Sequence, residues 1–119
     1  MSRIMEMAKD LGSALARTDE YQALRRSIKA ADEDTELGEY KTTLEDLEAK
    51  ISVKLRAGEE PEKEDAEAYE ATVSKLQANM TYQRLVSAQA NFDKILQKVN
   101  GTIAQGMEEG AESRIILAP

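Results

Sequence analysis

Leu37, Tyr40, Leu44, Leu47, Ile51 and Leu55 step by 3, 4, 3, 4 and 4 residues. That spacing lines six large side chains along one edge of an α-helix and excludes the two-residue alternation of a strand. The stripe is narrow, roughly two apolar positions in seven, which suits helices that pair along a seam. A helix from Thr35 to Ala57 carrying it would be about 35 Å long. Such a chain must spend its apolar residues on helix–helix contacts.

The same stepping recurs on both sides. Ile4, Ala8, Leu11 and Leu15 share a face in a first helix, about Arg3 to Ala16, with Ser2 as its N-cap. Tyr21, Leu24, Ile28 and Ala31 share one in a second, about Asp19 to Ala31, capped by Thr18. The acidic run Asp32-Glu33-Asp34 predicts a break, with Asp34 capping the third helix; one continuous helix through this point is the alternative. Gly58 follows the third helix where a left-handed residue closes a helix cheaply. Pro61 marks the start of the fourth, where a missing N–H costs nothing. Ala66, Tyr69, Val73, Leu76 and Met80 form its stripe. Asn79 and Thr81 predict a cap or kink before a fifth helix carrying Tyr82, Leu85, Gln89, Phe92, Leu96, Val99 and Ile103, with Gly106 as its end. The expected architecture is therefore all-α. It has about five helices, including a long antiparallel hairpin turning at Gly58 to Glu60, packed as a bundle and completed by oligomerisation. Residues 1–106 form a single helical domain, and 107–119 a flexible C-terminal tail.

Oligomerisation is expected because the core supply is thin. Of the 41% hydrophobic residues, 17 are Ala, there is no Trp, and Phe92 is the one Phe. A small domain with so few large apolar groups leaves apolar surface for a second copy to cover. The two longest seams supply the interface candidates: Leu37, Tyr40, Leu44, Leu47, Ile51 and Leu55 on the third helix, and Tyr82, Leu85, Gln89, Phe92 and Leu96 on the fifth. Gln89 interrupts its seam, and a buried amide there would fix register.

Catalysis has little to work with. The chain contains no His and no Cys, so the commonest general base, the thiolate nucleophile and the commonest metal ligands are missing. A bundle di-metal site built on Glu-x-x-His pairs cannot be assembled. The glycines between 101 and 110 lack the strand and the Lys-Ser/Thr of a phosphate loop. No catalytic residue, metal or cofactor is expected, and Tyr21, Tyr40, Tyr69 and Tyr82 read as packing residues with hydroxyls at the core edge. The net charge of −7 opposes nucleic-acid binding, although Arg25, Arg26 and Lys29 form a local basic patch that leaves an RNA-associated protein as an alternative. No apolar run approaches the ~20 residues of a membrane span, and a cytoplasmic location is expected. The expected partners are a homodimer or higher homo-oligomer and other regulatory proteins, a purely structural self-associating helical protein being a further alternative.

The run Leu11-Gly12-x-Ala14-Leu15 followed by Glu20-Tyr21-Gln22-x-Leu24 resembles the N-terminal signature of the YlbF/YmcA family of bacterial proteins. Glu36-Leu37, the Gly58-Glu59-Glu60 turn and the stretch from Tyr82 through Ala88-Gln89, Phe92, Ile95-Leu96 and Val99-Asn100 to Ile103 fit it too, so the likeness covers about Ile4 to Ile103. Its length is similar to the YheA-type subgroup. The resemblance implies long packed helices, dimeric or larger assemblies, and a cytoplasmic protein without enzyme activity of its own. It also implies a regulatory role: better-studied members act in competence, sporulation and biofilm formation. They join a complex with the YaaT protein that influences RNA processing by a membrane-bound ribonuclease. Some members carry C-terminal cysteines linked to iron–sulfur clusters. This sequence has none and departs from the family there.

Overall fold

A computed structural model describes the backbone of residues 2–117 and the side chains of residues 2–112. Five helices follow one another: α1 (Ser2–Ala16), α2 (Asp19–Glu33), α3 (Thr35–Arg56), α4 (Lys63–Ala78) and α5 (Met80–Leu117). The described residues contain no strand.

Each boundary has a local cause. Thr18 accepts a hydrogen bond from the Tyr21 N–H at 3.1 Å and so caps α2. Asp34 sits in an extended conformation (φ −81°, ψ 105°) and accepts from the Leu37 N–H at 3.1 Å. The break after α2 is therefore real, and the continuous-helix alternative is excluded. At the end of α3, Gly58 takes φ +76°. Its N–H reaches the Leu55 carbonyl at 3.1 Å, while the Glu59 N–H reaches the Lys54 carbonyl at 2.9 Å. This paired closure consumes two carbonyls that the helix end leaves open. Lys54 then holds both Glu59 and Glu62 at 3.2 Å across the turn. Pro61 lies just outside the helix, two residues before its first residue Lys63. Glu62 occupies the N-cap position of α4 without a side-chain cap bond.

Asn79 closes α4 and opens α5, its Oδ1 accepting from the Tyr82 N–H at 2.9 Å. The expected end of α5 at Gly106 is corrected. The helix continues through Gly106 and Gly110 to Leu117 and is 38 residues long. Gly58 alone among the described glycines has a positive φ, and a glycine stops a helix only by taking that left-handed conformation. Ala118 and Pro119, the last of the expected tail, lie outside the described residues.

The helices pair in twos. α3 and α4 form the expected antiparallel hairpin, and α2 packs against α5. Tyr21 meets Phe92 at 5.1 Å between ring centroids, and Asp34 accepts from Asn79 at 3.5 Å. Those two contacts make α2 antiparallel to α5. The chain is thus one antiparallel helical ribbon, jointed where both of its arms break, at Asp34 and Asn79. Its dimensions are 72 × 37 × 23 Å and its radius of gyration 22.3 Å, against about 13.5 Å for a compact domain of this length. A ribbon two helices wide buries little: the buried apolar side chains are Leu37, Leu47 and Ala88. Thr72 is buried with its hydroxyl donating to the Ala68 carbonyl at 2.8 Å, which removes the cost of a buried hydroxyl.

Candidate protein-interaction surface

The seam of α3 divides by position. Leu37 and Leu47 are buried inside the chain's own packing. Tyr40, Leu44 and Ile51 are half-buried, and Leu55 is 60% exposed. On α5, Tyr82, Leu85, Phe92 and Leu96 are half-buried. Gln89 is exposed within the single chain, where Ala88 takes the inward position. The amide that does tie two helical arms together is Asn79, at the joint. The tyrosine hydroxyls reach outward as expected of core-edge residues. Tyr69 donates to Glu48 at 3.1 Å across the hairpin, and Tyr40 donates to Glu36 one turn back. Each carboxylate raises the pKa of its tyrosine by favouring the protonated phenol.

The joint brings four of the candidates together. Leu37 and Leu44 from α3, Leu76 from α4, and Tyr82 and Leu85 from α5 line a largely apolar groove of about 490 Å³. Lys41, Glu45 and Glu48 lie on it as well. The groove exists because α5 restarts at Asn79 beside the first turns of α3. A second groove, about 620 Å³, runs between α2 and α5 over Ala23, Ser27, Ala30 and Ala88, with Arg26 and Arg84 beside them and no carboxylate in its lining. Arg25, Arg26 and Lys29 are all exposed. Among the described residues, no group of three or more carboxylates converges as a metal site would require. No helix among them is long and apolar enough to cross a membrane.

The joint carries a titratable lock. The Leu37 N–H, with Thr81 and Asn79 beside it, holds the Asp34 carboxyl below its ordinary value of 3.8. The folded protein therefore binds this proton less readily than the unfolded chain. The resulting stability is complete above pH 3.8 and is lost as pH falls through the native value. Thermal unfolding of the native protein and of Asp34→Asn tests this. The difference in Tm between them should be largest at neutral pH and shrink below pH 3.8; a constant difference would show that the charge is immaterial.

Two further surfaces escaped the sequence reading. α1 is amphipathic but has no buried residue. Ile4, Met5 and Met7 are 73%, 62% and 57% exposed, and Ile103 and Met107 on the far part of α5 are 46% and 66% exposed. The periodicity of Ile4, Ala8, Leu11 and Leu15 was visible in the sequence. Periodicity does not say whether the chain itself supplies a partner for the stripe.

Comparison with known proteins fits this architecture. Residues 4–108 match the family described as control of competence regulator ComK, YlbF/YmcA. A UPF0342 protein of Lactobacillus acidophilus is 25% identical over 109 residues, 92% of this chain and 94% of that protein. A UPF0342 protein of Staphylococcus saprophyticus is 23% identical over 106 residues, 89% of this chain and 93% of its own length. Among solved structures, Bacillus subtilis RicA, crystallised in complex with RicF, is similar with a TM-score of 0.78 at 17% identity, covering 92% of this chain and 96% of RicA. At that identity the likeness is one of fold. The family match, by contrast, spans nearly the whole sequence, and on it the chain belongs to the YlbF/YmcA family.

Proposed function

We propose that this protein is a non-enzymatic helical regulator or adaptor, working in the cytoplasm as a homo-oligomer that binds other regulatory proteins. The observation that carries the reading is the joint groove, where Leu37, Leu44, Leu76, Tyr82 and Leu85 present an apolar lining with charged residues beside it. An apolar centre with a polar rim is the anatomy of a protein-binding site, and its shape suits the ridge of a partner helix. Family membership supports a regulatory role in competence, sporulation, biofilm formation or RNA processing. RicA, of the same fold, is seen in complex with RicF, which supports a protein partner; another YlbF-family chain of the same cell is the one to test first. With no cysteine in this sequence, the role runs without an iron–sulfur cluster of its own.

Leu44→Glu places a charge in the groove at a half-buried position without emptying the core. We expect it to weaken binding to that partner by at least about 2 kcal/mol, roughly 30-fold in Kd, in calorimetry with purified chains. Equal affinities of the native chain and the variant would move the site elsewhere, and no binding to any family chain would remove the reading. The second reading, RNA association, draws on the carboxylate-free groove beside Arg26 and Arg84. It requires RNA binding that falls steeply with salt, and no binding in low salt ends it.

A further inference from the structure

Of the 119 residues, 23 are Asp or Glu, yet two stretches hold none. Residues 21–31 of α2 carry Arg25, Arg26 and Lys29, and residues 80–92 of α5 carry Arg84. The fold sets these stretches side by side. α2 and α5 run antiparallel, with Tyr21 against Phe92 at one end and Asp34 against Asn79 at the other. The one region of the chain free of negative charge is thereby gathered on a single pair of helices.

The groove of about 620 Å³ lies between those helices. Ala88 at its floor is buried, and Ala23 and Ser27 are half-buried. Side chains this small let the axis of a third helix come close. Arg26 lines the groove from α2 and Arg84 from α5, and both are exposed. The antiparallel register sets Arg26 across from Ser87, about one helical turn along the groove from Arg84. Neither arginine is neutralised within the chain: among the described residues the ion pairs are those of Lys54 and Lys63. On α5 the lining runs from Met80 to Asn91, about 17 Å or three helical turns.

We propose that this groove docks an acidic amphipathic helix of a partner protein, laid as a third helix between α2 and α5. The apolar ridge of that helix sits over Ala23, Ser27 and Ala88. A carboxylate on each flank of the ridge, one turn apart, meets Arg26 on one side and Arg84 on the other. Charge complementarity selects the occupant, because an arginine fork holds a carboxylate through two parallel hydrogen bonds. A nucleic acid fits less well. No aromatic side chain lines the groove, and single strands are held largely by stacking on aromatic faces. A phosphate backbone also extends beyond two arginines onto a chain of net charge −7. The inference rests on the adaptor reading and adds to it a second docking site, which shares no lining residue with the joint groove.

Two synthetic helical peptides test this by fluorescence anisotropy with the full chain. Both carry the same ridge of leucine and alanine; one has Glu on both flanks and the other has Lys at the same positions. The native protein should bind the Glu peptide at least ~10-fold more tightly than the Lys peptide. Arg26→Glu/Arg84→Glu should reverse that order. Both positions are exposed, and tighter binding of the Lys peptide is a gain that a misfolded chain would not show. No binding of the Glu peptide, equal affinities, or an order left unchanged by the double variant would each overturn the proposal. So would tighter binding of a single-stranded uridine RNA than of the Glu peptide. A smaller assembly of the double variant in sedimentation equilibrium would give the groove to a second copy and overturn it too. Leu44→Glu should bind the Glu peptide as the native chain does; a loss there would place the peptide in the joint groove instead. Retained peptide binding with no partner binding at the Leu44 groove would count against that groove alone, so the two failures are distinguishable.

Discussion

Replacing Leu47 by Ala should lower the free energy of unfolding by about 2–4 kcal/mol. Leu47 is 7% exposed at the centre of α3, facing α4, and shares the buried apolar interior of the described residues with Leu37 and Ala88. A truncation there removes transfer energy and leaves a void that two rigid helices close only in part. The expected loss is a large share of the ~5–15 kcal/mol available to a small protein. Denaturant unfolding with an unchanged m-value would report it. Leu55 provides the control, because it lies on the same stripe two turns on and is 60% exposed. Leu55→Ala should change stability by no more than about 0.5 kcal/mol in the isolated chain. Equal losses at the two positions would mean that Leu55 is covered in an assembly, in keeping with its place among the interface candidates.

That contrast shows where a sequence stops speaking. The caps at Thr18, Asp34 and Asn79 and the closure at Gly58 were legible because each depends on the chemistry of one residue and its next turn. Gly106 misled for the same reason. A glycine looks alike inside a helix and at its end, and only a positive φ with the returning N–H bonds makes it a stop. The seam of α3 was legible as a seam, but a 3–4 spacing does not name the helix that fills it. Leu37 and Leu47 turned inward, and Leu55 was left outside. The joint groove was hidden for a different reason. It needs Tyr82 and Leu85 from one end of the chain beside Leu37 and Leu44 from the middle, and that meeting depends on two helix breaks falling side by side.

Those two breaks divide the ribbon into an α3–α4 half and an α2–α5 half, and Phe92 tests how far the halves depend on each other. Phe92 is half-buried, and its ring lies 5.1 Å from that of Tyr21 at an interplanar angle of 59°. A tilted pair of this kind adds about 0.5–1.5 kcal/mol to the area it buries. Phe→Ala in a sealed core costs about 3–5 kcal/mol; partial exposure brings the expectation for Phe92→Ala to about 2–3 kcal/mol. A double-mutant cycle with Tyr21→Ala should return a coupling of about 0.5–1.5 kcal/mol, because the two rings touch. Hydrogen exchange then separates two pictures. If the joint at Asp34 and Asn79 is a weak hinge, Phe92→Ala will expose amides of α2 while those facing Leu47 and Thr72 keep their protection. If the joint transmits packing, protection will fall in both halves together. The first outcome is expected. The joint itself is tied by the Asp34 carboxylate, which accepts from Asn79 at 3.5 Å with Thr81 beside it, whereas each half has its own antiparallel seam. A protein built this way can lose or rearrange its α2–α5 half, and the α1 arm attached to it, while the α3–α4 hairpin stays folded.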